Sequence, residues 1–157
     1  MKIQKSLLIL LLLFAPGIYA APYVIGDTLQ AVSLDDQHKK PGHINAQTRM
    51  ILFSRDKAGG ELMAEALSDI PRGYLAEQHI VYITDISGMP GLISKYVAIP
   101  SMRKKPYPML LDKDGSKTEK YPDQNDASTL IYIESLKIKN ILHLSSIKEI
   151  RQALGLE

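Results

Sequence analysis

Three short, evenly spaced apolar segments constrain the fold of this chain more than any other feature of its sequence. They occupy residues 50–53, 79–83 and 108–111, and a polar loop follows each of them. Uninterrupted apolar runs of this length are typical of strands that are buried on both faces of a sheet. Apolar residues at helical spacing lie between them, in the sets Leu62, Met63, Ala66, Leu67, Ile70 and Met89, Leu92, Ile93, Tyr96, Val97. The pattern predicts parallel strands joined by right-handed helical crossovers.

Further strands are predicted on both sides of this unit. Weak alternation over residues 29–34 predicts an N-terminal strand, and the polar residues 35–43 predict a loop. The Asp114-Gly115 pair predicts a hairpin whose returning strand covers residues 116–121. Two more strands alternate over residues 130–144, and a Ser146/Glu149 capping box begins the last helix. We therefore expect one α/β domain with a mixed sheet flanked by helices, an N-terminal strand and extra C-terminal strands.

The first twenty residues have the pattern of a secretory signal peptide. Lys2 and Lys5 precede an apolar run over residues 7–14, a Pro-Gly pair interrupts it, and Ala20 supplies a small residue for cleavage. The apolar run is too short to span a hydrocarbon core of ~30 Å. We expect cleavage near Ala20, a mature domain of residues 21–157, and export to the periplasm of a Gram-negative bacterium without a stable membrane anchor.

The composition excludes several classes of function. The chain has no cysteine, and therefore no thiolate nucleophile, disulfide, iron–sulfur cluster or cysteine zinc site. The whole chain has 19 Lys+Arg against 17 Asp+Glu, and loss of the leader with its two lysines leaves a formally neutral domain. A neutral domain argues against nucleic-acid binding. The one basic cluster, Arg103-Lys104-Lys105, is interpreted as a solvated loop.

The order of these elements resembles that of a thioredoxin-like domain over residues 50–154. The likeness is carried by residues 81–85, by Lys95-Tyr96 and by residues 107–115, which read Tyr-Pro-Met-Leu-Leu-Asp-Lys-Asp-Gly. In that family a cis-proline opens an apolar strand, so the resemblance implies a cis peptide bond before Pro108. The spacing alone favours a trans proline at the start of a strand. The chain also resembles small cysteine-free periplasmic proteins, many of them uncharacterised, of which some carry a flavin-dehydrogenase label.

Polar side chains are predicted to gather where the central strands end. Ligands of open α/β sheets bind outside the carboxyl ends of the strands, and a helix that starts near Gly60 offers free amides to an anion. The candidate binding residues are Arg55, Asp56, Lys57, Asp85, Tyr107 and Pro108. The charged members also fit a structural role, in which Arg55 pairs with Asp56 or Asp85 to hold the loop.

No catalytic residue, cofactor or metal site is predicted. The resemblance maps the family's redox cysteine pair near residues 58–61, which here read Ala-Gly-Gly-Glu. Thiol–disulfide exchange needs an attacking thiolate, so thioredoxin, disulfide isomerase and peroxiredoxin chemistry are excluded. His38 and His43 share a loop but lack the companion ligands of a zinc site, and Gly59-Gly60 is not a dinucleotide fingerprint.

Three functions remain open from the sequence. The first is an exported, non-redox binding or accessory module for a peptide, an anion or a periplasmic protein. The second is an oxidoreductase with a cofactor that the sequence does not announce, such as a flavin. The third is a structural periplasmic protein without a small ligand.

Overall fold

The computed structural model describes residues 20–156, which form seven strands and five α-helices. The strands are β1 Val32–Asp35, β2 Pro41–Ile44, β3 Met50–Ser54, β4 Ile80–Asp85, β5 Leu110–Asp112, β6 Ser128–Glu134 and β7 Lys137–Leu144. The helices are α1 Lys57–Ala66, α2 Tyr74–Glu77, α3 Gly91–Ile93, α4 Ile99–Met102 and α5 Ile147–Ala153. A π-helical turn, Ser94–Ala98, joins α3 to α4, and residues 91–102 are called the surface helix below. Apart from Ala20, the predicted signal peptide lies outside the described residues.

The main sheet is mixed, as the sequence predicts. Its strand order is β5-β4-β3-β6-β7, while β1 and β2 form a separate two-stranded hairpin. Strands β3, β4 and β5 are parallel to one another. Strand β6 pairs antiparallel with β3, and β7 pairs antiparallel with β6. The α/β class, the N-terminal strand and the C-terminal strand pair are therefore confirmed.

Both faces of the sheet are covered, which explains the uninterrupted apolar runs. One face packs on α1 and α5 through residues such as Met63, Leu67 and Ile150. The other face packs on the hairpin and the N-terminal segment through Leu29 and Ile44. Side chains alternate between the two cores along each strand, so β3 needs apolar residues at every position.

Two local predictions are wrong, and in each case a polar side chain explains the difference. The predicted returning strand over residues 116–121 is a series of turns, because the Asp112 carboxylate accepts backbone N–H bonds from Gly115, Lys117 and Thr118. The predicted loop over residues 35–43 contains β2. Asp36 closes the tight connection before it by accepting N–H bonds from His38 and Lys40.

The cis peptide bond implied for Pro108 is also wrong. The described chain contains no cis peptide bond, so Pro108 is a trans proline two residues before β5. The Gln37 side chain explains how the backbone is held there. Its Nε2 donates to Tyr107 O at 2.8 Å, and its Oε1 accepts from Met109 N at 2.8 Å. One buried amide therefore pairs with the backbone on both sides of the proline, as a neighbouring strand would.

Candidate functional site

Arg55 and Asp85 meet at the carboxyl edge of the parallel strands. Arg55 follows the last residue of β3, and Asp85 is the last residue of β4. Arg55 Nη1 lies 2.8 Å from Asp85 Oδ2, and the Asp85 side chain is only 2% exposed. The geometry therefore matches the structural role that the sequence left open for Arg55, an ion pair with Asp85.

The remaining contacts of Arg55 hold the loop over residues 113–127. Its Nη2 donates to Thr118 O at 2.8 Å and to Tyr121 O at 3.3 Å. Its Nε lies 3.3 Å from Asp123 Oδ1, an ion pair without the angle of a hydrogen bond. The guanidinium thus ties this loop to the sheet edge, while its Nε has no hydrogen-bond partner in the described part of the chain.

Asp112 is a buried carboxylate at this edge that sequence reasoning did not single out. It ends β5 beside Asp85, is 1% exposed, and accepts a 2.8 Å hydrogen bond from the Thr118 hydroxyl. Thr118 Oγ1 also lies 3.2 Å from Asp85 Oδ2, so it lies between the two carboxylates. The signal in the sequence is that each aspartate lies within two residues of the end of an apolar run.

Asp56 and Lys57 serve the first helix. Asp56 is the N-cap of α1, where its Oδ1 accepts from Gly59 N at 2.7 Å and its Oδ2 accepts from Asp126 N at 2.9 Å. Such a cap satisfies one of the unpaired amides at a helix start. Lys57 is exposed to solvent and pairs with Glu61 at 3.4 Å. Neither residue joins Arg55 in a pocket.

The start of α1, where the family has its thiols, is covered by the chain that enters β6. The Ser128 hydroxyl donates to Gly59 O at 2.6 Å. A Cβ added at Gly59 would lie 2.2 Å from Ala127 O, so the backbones are in direct contact. Strand β6, which pairs antiparallel with β3, therefore begins directly against the start of α1.

Tyr107 and Pro108 lie at the other end of β5, away from Arg55. In the β4–β5 register Asp85 faces Asp112, so Pro108 is four residues back along the strand, or roughly 13 Å. Tyr107 is buried, its ring centroid lies 6.2 Å from that of Tyr82, and burial raises the pKa of its hydroxyl to about 12. The six predicted residues therefore do not form one pocket.

A cavity under the hairpin is the main concave feature near Pro108. It has a volume of about 410 Å³ and lies between β2, the amino end of β4 and the start of β5. Val81, Pro108 and Leu110 supply its apolar lining. Its polar lining comes from Asp36, Lys40, His43, Asn45, Gln47, Thr48 and His79. Pro108 is the only one of the six predicted binding residues that lines it.

The polar lining of this cavity supplies several hydrogen-bond donors. It holds one lysine, Lys40, one acidic residue, Asp36, and two histidines, His43 and His79. The Asp36 Oδ1 already accepts two backbone N–H bonds. Ligand pockets of this size combine an apolar lining with a few polar groups. Lys40 and the two imidazoles can donate hydrogen bonds to the oxygen atoms of a small organic anion.

Within residues 20–156, no group of three or more His, Cys, Asp or Glu residues is arranged to hold a metal ion. No helix in this part of the chain is long and apolar enough to cross a membrane.

Comparisons with known proteins identify the fold. No protein-family model and no curated protein sequence matches the chain. Among solved structures, it is similar to peroxidoxin BcpB from Mycobacterium tuberculosis, with 17% identity, a TM-score of 0.55, and coverage of 83% of this chain and 94% of that one. It is also similar to a putative thiol:disulfide interchange protein DsbE from Chlorobium tepidum, with 11% identity, a TM-score of 0.56, and coverage of 85% and 94%.

A third neighbour is a SCO1/SenC family lipoprotein from Bacillus anthracis, with 8% identity, a TM-score of 0.53, and coverage of 87% of this chain and 98% of that one. Identities this low show a shared fold and nothing about activity. Together with the mixed sheet and its helical layers, they show that the chain has a thioredoxin-like fold built without cysteine.

Proposed function

We propose that this protein is an exported, non-redox binding module that holds a small organic anion in the cavity under the β1–β2 hairpin. The observation that carries the proposal is a rim of hydrogen-bond donors over an apolar floor. Lys40, His43 and His79 stand around Val81 and Leu110 in a space of about 410 Å³. Such a lining favours a ligand with an apolar body and a carboxylate or phosphate group.

Binding, not thiol redox chemistry, is the role that suits this scaffold. The chain has no thiol, and the start of α1 is closed by the backbone before β6. A peptide that adds as a strand beside Pro108 is disfavoured, because Gln37 already pairs with Tyr107 O and Met109 N.

Export to the periplasm is part of the proposal. It is supported by the leader-like pattern of the first twenty residues, with Lys2 and Lys5 before an apolar run. One of the structural neighbours is itself a lipoprotein. A cysteine-free domain needs no oxidising compartment for its stability, so the absence of cysteine does not bear on the location.

The test is ligand binding by the mature protein. Native mass spectrometry and an absorbance scan of protein purified gently from the periplasm would identify a bound molecule. Thermal unfolding with benzoate, citrate or inorganic phosphate as probes would then measure affinity. We expect at least one probe to raise the melting temperature saturably. Lys40→Ala and His43→Ala should each weaken the binding of that probe about tenfold, since each removes a hydrogen-bond donor from the rim of the cavity.

The control is Lys148→Ala, which removes an exposed lysine from α5 and should leave binding unchanged. Saturable binding that Lys40→Ala and His43→Ala do not affect would move the site elsewhere. A flavin in the purified protein would make the oxidoreductase alternative primary. A protein that binds no probe and carries no molecule would overturn the proposal.

A further inference from the structure

The surface helix exposes the apolar face that the helical spacing of the sequence predicts. Leu92 is 74% exposed, Ile93 50%, Tyr96 65% and Val97 63%. These four residues are called the apolar ridge below. Isolated apolar residues are ordinary on protein surfaces, but four large ones along one helix are not.

The opposite side of the same helix packs on the protein. Ile99 and Met102 are partly buried against the core that contains α1. The π-helical turn ends two residues before Pro100, whose ring would clash with the carbonyl four residues earlier in a regular α-helix. The wider turn accommodates Pro100 and keeps Ile99 and Met102 inward, so the ridge is left on the outside.

The charged residues within the surface helix and at its C-terminal end are all basic. Between Asp85 and Asp112 the chain has no acidic residue, while it has Lys95 within the helix and the Arg103-Lys104-Lys105 cluster at its end. Lys95 Nζ lies 5.1 Å from the centre of the Tyr96 ring. The mature chain as a whole is formally neutral, so this basic character is local to the surface helix and its C-terminal end.

We propose that the apolar ridge and its basic flank dock reversibly on an anionic phospholipid surface. An interfacial helix buries apolar side chains at the level of the lipid headgroups while Lys and Arg contact the anionic lipid. Tyrosine is a preferred residue at that depth. A bilayer accepts side chains that protrude this far without a complementary pocket, whereas a protein partner would need one. The proposal goes beyond the cavity and does not depend on its ligand.

Vesicle binding by the mature chain, beginning at Ala21, tests this proposal. Vesicles of phosphatidylcholine alone are compared with vesicles of phosphatidylcholine and phosphatidylglycerol in equal parts, and bound protein is measured by flotation. We expect binding to the anionic vesicles only, weakened by added salt. Leu92→Ser should reduce the partition coefficient about tenfold, since it removes one lipid-buried aliphatic side chain. Lys104→Glu should reduce it by a similar factor.

The matched controls are Ile147→Ser and Lys148→Glu on α5, an apolar and a basic change outside the surface helix. Ile147 is itself 38% exposed, so its loss removes comparable chemistry. Neither control should alter vesicle binding. The proposal fails if wild-type protein binds neither vesicle, or if the controls weaken binding as much as Leu92→Ser. It also fails if sedimentation shows that the ridge instead joins two copies of the chain, in a dimer that Leu92→Ser dissociates.

Discussion

Arg55, one of the predicted binding residues, ties a loop to the edge of the sheet. It pairs with the buried Asp85 carboxylate, and its Nη2 donates to Thr118 O and Tyr121 O. Without Arg55, the charged Asp85 carboxylate would lower the stability of the folded state, because a buried charge without a partner loses its hydration and gains no compensating contact. The pair therefore holds the 113–127 loop against the sheet.

The first prediction concerns this ion pair. Arg55→Ala should lower the free energy of unfolding by about 2–3 kcal/mol, because it leaves Asp85 buried without its counter-charge; the partial exposure of Arg55 keeps the cost below that of a fully buried pair. Urea denaturation measures the change. Arg72→Ala, which removes an exposed arginine, is the control and should cost little. Equal stability of Arg55→Ala and wild type would show that Arg55 is free for a ligand.

At the scale of elements, the junction of α1 with β6 lies where the resemblance to thioredoxin-like domains maps the redox cysteine pair. The helix begins at an Asp56 cap that also binds Asp126 N, and Gly59 lies directly against Ala127. Gly59 and Gly60 are neighbours on the same helix but face different surroundings. A Cβ at Gly60 would have nothing nearer than Ser54 Oγ at 3.8 Å. The first glycine is thus required by packing and the second is not.

The second prediction uses that contrast. Gly60→Ala should stabilise the protein by about 0.5–1 kcal/mol, because alanine has the higher helix propensity and finds open space. Gly59→Ala should destabilise it by about 1–3 kcal/mol despite the same gain, because its Cβ would overlap the Ala127 carbonyl and push α1 from β6. Thermal unfolding of the two variants measures both changes in stability. A stabilising Gly59→Ala would mean that α1 and the chain before β6 are not in close contact.

At the scale of the whole molecule, three buried tyrosines make the stability of the protein depend on pH. Burial raises the pKa of Tyr107 to about 12 and raises the pKa values of Tyr82 and Tyr121 as well; Ser54 bonds to Tyr82 and partly offsets its shift. All three belong to the two cores of the sheet. Because the folded state holds these protons more tightly than the unfolded chain, the stability they provide is complete below the unfolded pKa of about 10 and is lost as the pH rises above it.

The third prediction follows from this loss of stability at alkaline pH. The free energy of unfolding should fall above about pH 10, by about 1.4 kcal/mol per pH unit for each buried tyrosine, as measured by denaturation at a series of alkaline pH values. Tyr107→Phe should make the slope shallower by one such increment without a loss at neutral pH, since no residue of the described chain bonds its hydroxyl. Tyr96→Phe, at an exposed position, should leave the slope unchanged. If Tyr107→Phe leaves the slope unaltered, the raised pKa of the Tyr107 hydroxyl is contradicted.

Hydrophobic periodicity and composition allowed much of this protein to be predicted from its residues. The buried strands β3, β4 and β5, the helix α1 and the C-terminal strand pair follow from local patterns, because an element that is buried on one or two faces must repeat apolar residues at its own period. The exclusion of thiol chemistry follows from composition alone. The pairing of Arg55 with Asp85 was one of two alternatives that the sequence left open.

The tertiary structure decided everything that depends on which distant residues meet. It placed β5 at the sheet edge and β6 beside β3, which separated Pro108 from Arg55 and gave Gln37 and Asp112 their roles. A side chain that bonds a backbone seventy residues away leaves no repeating pattern in the sequence. It also decided which side of the surface helix is buried, because periodicity identifies an apolar face but not the neighbour, protein or lipid, that covers it.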